Sequence, residues 1–97
     1  MSTATREDTV EKYLLTRCRA NGFLCMKFVS PARGGVPDRV IITPAETVFV
    51  ETKRPGGKPR RLQKIVHTKM RRYGAKVYVA DDRHKVDELI RELATKK

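Results

Sequence analysis

In the run Val48-Phe49-Val50-Glu51-Thr52-Lys53, the side chains of an extended strand alternate between two faces. Glu51 and Lys53 therefore share one side, roughly 6 to 7 Å apart, while Val48, Val50 and Thr52 take the other. A carboxylate and an ammonium at the end of an otherwise apolar strand are costly to bury without partners. Asp38, directly after Pro37 at the mouth of a second strand-like run, brings another carboxylate beside Glu51 if the two runs pair as a hairpin. Two carboxylates, a main-chain carbonyl such as that of Thr52, and water are oxygen donors of the kind Mg²⁺ or Mn²⁺ accepts. A cation held there supplies what phosphodiester cleavage needs: it neutralises phosphate charge, lowers the pKa of a water and holds that water in line. Lys53 is placed to hold or deprotonate the water, or to stabilise the pentacoordinate phosphate. The competing reading of Glu51 and Lys53 is a salt bridge on the surface of an edge strand, since E-x-K is a common tripeptide.

The elements that must position these groups follow from hydrophobic spacing. Val10, Tyr13, Leu14 and Cys18 recur at helical intervals and predict a helix from about Glu7 to Ala20, stopped by Asn21-Gly22. Phe23 to Val29 reads as a strand bounded by Gly22 and Ser30-Pro31. Arg39 to Thr43 and Thr47 to Lys53, rich in Val and Ile, flank the tight connection Pro44-Ala45-Glu46 and should form the hairpin. After Pro55-Gly56-Gly57, the residues Leu62, Ile65, Val66, Met70 and Tyr73 are expected to line one side of a helix ending before Gly74. Lys76 to Ala80 reads as a buried strand, and Val86, Leu89, Ile90 and Leu93 as the stripe of a last helix. The order αβββαβα, a hairpin followed by a helix joining two strands, indicates an α/β fold with a mixed sheet flanked by helices. Residues 1–97 are expected to make a single domain, since a chain of this length holds one modest core.

Charge narrows the partner. The net charge is +11, and no Asp or Glu occurs between Thr52 and Ala80, a span that carries Lys53, Arg54, Lys58, Arg60, Arg61, Lys64, Lys69, Arg71, Arg72 and Lys76. A solvated helix face ordinarily mixes signs for its i, i+4 pairs, so a polyanion such as nucleic acid is the favoured partner. A membrane surface is poorly supported, because the stretch lacks a broad aromatic or leucine face. No apolar run is long enough for a membrane span and no apolar signal core follows the first residues, which predicts a cytoplasmic protein. Cys18 and Cys25 are then expected to be reduced. Their separation, and that of His67 from His84, does not match the short ligand pairs of structural zinc sites.

Gly35-Val36-Pro37-Asp38-Arg39, then Phe49-Val50-Glu51-Thr52-Lys53, then Pro59 and Leu62-Gln63, resemble the VRR-NUC domain of the PD-(D/E)xK nuclease superfamily, in particular its small stand-alone phage and bacterial members. The likeness runs from about Glu7 to Val79, and the ordered combination is more specific than any one motif. It implies a restriction-endonuclease-like core, dependence on Mg²⁺ or Mn²⁺ with no small-molecule cofactor, and, for stand-alone members, a homodimer acting on branched DNA such as four-way junctions. Asp38 matches the motif aspartate and metal ligand, Glu51 the second metal ligand and Lys53 the catalytic lysine. The first-helix glutamate falls on Glu11, with Glu7 one turn earlier as a substitute, acting on the metal through water. Gln63 matches a glutamine that supports the site from the facing helix. Lys27 and Ser30 also fit the pattern, as contacts to DNA phosphate.

Further phosphate contacts are expected from Arg33, Arg39, Arg54, Lys58, Arg60, Arg61 and Lys64, carried largely by the two loops that flank the acidic residues. Backbone amides freed by Gly34-Gly35 suit a phosphate, although a mobile surface turn explains the glycines equally well. His67 is expected to be an ordinary polar residue on a basic helix. The readings that compete with a junction-cleaving endonuclease are a non-catalytic nucleic-acid-binding module built on the basic helix, and a nuclease subunit that needs a partner. The last helix, or the apolar residues around Phe23, Phe28 and Val29, are the candidate dimer surfaces.

Overall fold

The computed structural model describes residues 6–31 and 33–96, with side chains from residue 9 onward. The first helix, α1 (Arg6–Ala20), buries Val10, Leu14 and Cys18 and ends at the expected stop, where Gly22 takes a positive φ of 72°. The carbonyl of Cys18 there accepts from the amides of Asn21 and Phe23, which turns the chain into β1 (Leu24–Lys27). The hairpin expected around Pro44 forms from β2 (Arg39–Ile42) and β3 (Thr47–Thr52), closed by the hydroxyl of Thr43, which accepts from the amides of Ala45 and Glu46. Then come α2 (Arg61–Arg72), β4 (Val77–Ala80) and α3 (Arg83–Ala94), completing the order read from hydrophobic spacing.

The four strands make one sheet in the order β1-β2-β3-β4. β1 and β2 are antiparallel, as are β2 and β3, while β4 runs parallel to β3, so the sheet is mixed as expected. α1 and α3 cover one face. Val10, Leu14, Ile41, Val48, Val50, Ala80, Val86, Ile90 and Leu93 form a continuous apolar core there. The two helices are also tied by polar contacts, with the Tyr13 hydroxyl donating to Asp87 at 2.7 Å and Arg17 pairing with the same carboxylate at 3.1 Å. The side chain of Asp82 caps α3 by accepting from the amide of Lys85, satisfying one of the free N–H groups at the helix start.

α2, carried by the β3-α2-β4 crossover, lies over the opposite face. Its buried side differs from the expected stripe. Val66 and His67 are buried and Met70 partly so, but Leu62, Ile65 and Tyr73 are exposed. The sheet presents Phe49, Glu51 and Lys53 on this face, so α2 turns Gln63 and His67 toward the polar end of β3 and leaves its more apolar flank outside. Among the described residues no helix is long and apolar enough to cross a membrane.

Candidate active site

β3 lies between β2 and β4, not at an edge, and Glu51 is only 3% exposed. These two facts dispose of a surface salt bridge. Burial of a carboxylate disfavours its charged form, and the pKa of Glu51 is raised first by desolvation and then by the charge of Asp38. Lys53 and Gln63 offset part of that rise. The ammonium of Lys53 lies 3.1 Å from Glu51 Oε2, as the alternation of the strand requires, and the amide Nε2 of Gln63 donates to the same oxygen at 2.9 Å.

The other oxygen, Glu51 Oε1, is buried with no hydrogen-bond partner among the described residues. An unsatisfied charged acceptor in a protein interior needs a reason, because leaving it so costs the full desolvation of the group.

Asp38 is opposite Glu51, one step beyond the last hairpin pair, Arg39 with Val50. Its carboxylate is fixed by two bonds: the amide of Thr52 donates to Oδ1 at 2.9 Å and the Thr52 hydroxyl to Oδ2 at 2.7 Å. The carbonyl of Asp38 accepts from the amide of Phe28, which ties this turn to the end of β1. Each carboxylate oxygen has two lone-pair sites, so an ionised Asp38 retains acceptor capacity beyond Thr52. Two carboxylates, one rigidly held and one with an orphan oxygen, are donors that suit a hard divalent cation. Among the described residues no third His, Cys, Asp or Glu joins them in a cluster.

Gln63 is oriented by the start of its own helix. Its Oε1 accepts from the backbone amide of Arg60 at 2.8 Å, so its Nε2 can only face Glu51. A helix-capping bond thus aims a side chain at the buried carboxylate. His67, one turn on, is 2% exposed and its Nε2 has no partner among the described residues. Burial is the first cause that depresses its pKa, with Arg71 and Lys53 adding to it. His67 is therefore no ordinary polar residue of a basic helix face. The signal in the sequence was its spacing of one turn from Gln63.

The first-helix glutamate goes elsewhere. Glu11 Oε2 accepts from Arg39 Nε at 2.7 Å and lies 3.6 Å from the ammonium of Lys27. Arg39, with a side chain 13% exposed, is held in that ion pair and not displayed to solvent, and it takes the same face of the sheet as Ile41, toward α1. The side chain of Glu7 lies outside the described residues. Lys27 is largely exposed. The carbonyl of Ser30 accepts from the amide of Arg33 in the turn that follows β1.

Arg33, Arg54, Lys58, Arg60, Arg61 and Lys64 are exposed, and no ion pair with a carboxylate neutralises any of them among the described residues. Arg54, Lys58, Arg60 and Arg61 stand on the segment that leads from Lys53 to Gln63, next to the buried pair. Gly35 has a packing role that the sequence did not separate from turn or phosphate roles. Its φ is +84°, and a Cβ there would come within 2.8 Å of Val66 and 2.9 Å of the Leu62 carbonyl. Only glycine lets this loop press onto α2.

A mixed sheet with helices on both faces, carrying an Asp–Glu–Lys constellation where β2 and β3 meet, defines a restriction-endonuclease-like core. No model of a known protein family matches the chain. A solved structure described as "VRR_NUC domain" superimposes with a TM-score of 0.85 at 38% sequence identity, covering 91% of this chain and 97% of that one. The chain is also 44% identical over 77 residues to "Putative nuclease p44" of Acyrthosiphon pisum secondary endosymbiont phage 1, an alignment spanning 78% of this chain and 83% of the phage protein. The chain belongs to the VRR-NUC nuclease family.

Proposed function

We propose that this chain is a metal-dependent DNA endonuclease that hydrolyses phosphodiester bonds, selects branched DNA such as a four-way junction, and acts as a homodimer. The observation that carries the reading is the buried Oε1 of Glu51, without a partner among the described residues, beside Asp38 and with the Lys53 ammonium 3.1 Å from the other oxygen of the same carboxylate. Asp38 and Glu51, with the main-chain carbonyl of Thr52, would hold Mg²⁺ or Mn²⁺. Such a cation, when bound, supplies charge neutralisation at the phosphate and a more acidic water.

The remaining roles fall to side chains of the protein. Gln63 fixes the rotamer of Glu51 by holding Oε2, which keeps Oε1 turned toward the cation. Lys53 directs its ammonium at the reacting phosphate, where a donor in a water-poor site stabilises the charge that develops on the equatorial oxygens. Arg54, Lys58, Arg60, Arg61 and Lys64 hold the flanking phosphates and set the register of the strand. Glu11 acts at a distance, through its ion pair with Arg39, the residue that follows Asp38 in the chain.

Resolution of a junction needs two symmetric cuts, and a protomer with one site makes one, so a twofold dimer follows from this choice of substrate.

The test uses purified protein and Lys53→Ala with labelled four-way junction, splayed duplex and linear duplex, each with Mn²⁺, Mg²⁺ or excess chelator. Paired nicks on the junction that require metal and fall at least about 100-fold in the variant, with binding retained, are the expected result. Cutting of the other forms at equal rates would remove the junction preference and leave the nuclease. Tight binding without cleavage by the wild-type protein in any metal would favour a binding module or a partner-dependent subunit.

A further inference from the structure

Beside the loop of Gly34 and Gly35 the structure holds an open recess of about 280 Å³ that the Asp38–Glu51 site does not use. Its floor is apolar: Phe28, Val36, Val66 and Met70. Phe28 packs against Phe49 of β3 with the ring centroids 5.2 Å apart and the planes tilted by 55°, so one wall is an aromatic ring held from behind. The rim is formed by Arg33, Lys69 and Tyr73, with no carboxylate among the lining residues. Tyr73, just past the end of α2, is 84% exposed, which is unusual for so large a ring. It also borders a second, open groove of about 670 Å³ on the outer side of α2, flanked by Lys64, Lys69 and Arg72.

An apolar floor with a cationic rim is matched by a ligand that is flat and apolar in its body and anionic at its edge. The recess is smaller than the roughly 300–1,000 Å³ of pockets that enclose drug-sized ligands, which limits the occupant to about one ring system. Single-stranded nucleic acid is bound by this combination, a basic groove that tracks phosphates and an aromatic side chain on which a base stacks.

We infer that this recess is a receptor for one unpaired nucleobase, seated against Phe28 and Tyr73 with its flanking phosphates on Arg33 and Lys69. The inference rests on the nuclease reading and adds a substrate determinant to it: the enzyme recognises a strand that has left the duplex. Position along α2 sets a distance. Met70 is seven residues beyond Gln63, which at the rise of an α-helix is about 10 Å. The seated base is therefore roughly three nucleotides from the phosphate at Glu51 in a stacked strand of about 3.4 Å per nucleotide, and fewer in a splayed one.

The experiment is done in excess chelator, so that cleavage plays no part. A forked duplex carries 2-aminopurine at successive positions of one single-stranded arm, and binding is followed by its fluorescence and by anisotropy. The expected result is a fluorescence change confined to one or two adjacent positions, kept by Tyr73→Phe and lost in Tyr73→Ala. The affinity of Tyr73→Ala for the fork should fall about tenfold, with the affinity for fully paired duplex within about twofold of wild type.

A change spread evenly along the arm, or a Tyr73→Ala variant that binds the fork as the wild type does, would overturn the receptor and leave the nuclease standing. Failure of the wild-type protein to bind any DNA would overturn both. A shift of oligomeric state in Tyr73→Ala, read by sedimentation, would also overturn it by making the recess a protein interface.

Discussion

The two faces of the sheet use one strand for opposite ends. Toward α1 and α3, β3 contributes Val48 and Val50 to an apolar core, and the buried Thr52 that follows them on this face has its hydroxyl satisfied by Asp38. Toward α2, the alternate residues of the same strand end in Glu51 and Lys53, and this face buries the polar side chains of Glu51 and His67, each with an atom that lacks a partner among the described residues. Burial of apolar area stabilises and needs nothing further, whereas burial of an unsatisfied polar atom destabilises until something meets it. The α1–α3 face therefore reads as the source of stability and the α2 face as the place where stability is given up for chemistry.

The sharpest way to break that division is a large deletion on each side. Leu14→Ala empties a fully buried site in the α1–α3 core. It should cost about 2–5 kcal/mol, a large share of a small domain's stability. Its thermal midpoint should fall by about 10 °C or more. Cleavage per folded molecule, measured well below that midpoint, should stay near the wild-type value with the same metal requirement. Lys53→Ala should do the reverse, losing the reaction even in molecules that remain fully folded, with a fall in melting temperature limited to the loss of the ion-pair partner of Glu51. A core variant that lost activity while fully folded would show that the two faces are not separable.

A smaller effect concerns Glu51 alone. Its pKa is raised above the ordinary carboxylate value, so between that value and the folded one the native state holds more protons than the unfolded chain. Stability of the metal-free protein therefore falls as pH rises from about 4.5 through that window, and the loss persists at neutral pH. Glu51→Gln removes the charge and keeps the shape. At pH 7 without metal its melting temperature should equal or exceed the wild type's, by up to about 4 °C. Near pH 4 the two should converge. Mn²⁺ should raise the midpoint of the wild type and leave the variant unmoved. A Glu51→Gln protein that melts well below the wild type in chelator would mean that Lys53 and Gln63 already satisfy the carboxylate.

The same contrast explains what could be read in advance. The core face repeats at periods of two and near 3.6 residues, and those periods name α1, α3 and the inward residues of β2 and β3 without any knowledge of contacts. Glu51 and Lys53 were legible because strand alternation fixes their shared side, and Asp38 because it stands at the mouth of the strand expected to pair with theirs; the register that sets it opposite Glu51, with Ile42 on Thr47, depends on how Thr43 and Glu46 close the turn. What failed was α2. Its apolar residues suggest a stripe of Leu62, Ile65, Val66, Met70 and Tyr73, but the sheet it covers is polar at one end; the helix keeps Val66 and Met70 inward, adds His67 beside the expected Gln63, and leaves Leu62, Ile65 and Tyr73 outside. Periodicity finds the apolar side of a helix and says nothing about whether its partner surface is apolar. The pairing of Glu11 with Arg39 was equally out of reach, since it depends on where α1 crosses β2.

His67 offers the smallest test and the one that bears most directly on how far the polar side extends. Its imidazole is buried, and Lys53 and Arg71 add positive charge near it, so protonation is disfavoured in the folded protein. Below an unfolded value of about 6.5, the unfolded chain binds the proton more readily, and stability must fall as pH drops toward the lower folded pKa. That window opens from above, opposite in sign to the one at Glu51. In His67→Leu the loss of stability between pH 8 and pH 5, followed by urea denaturation in chelator, should be smaller than in the wild type. If so, a residue with no assigned part in the metal site also lowers stability, and the polar character of the α2 face reaches a full turn beyond Gln63. Identical pH profiles would instead confine the destabilisation to the carboxylates, with His67 no more than a well-packed ring.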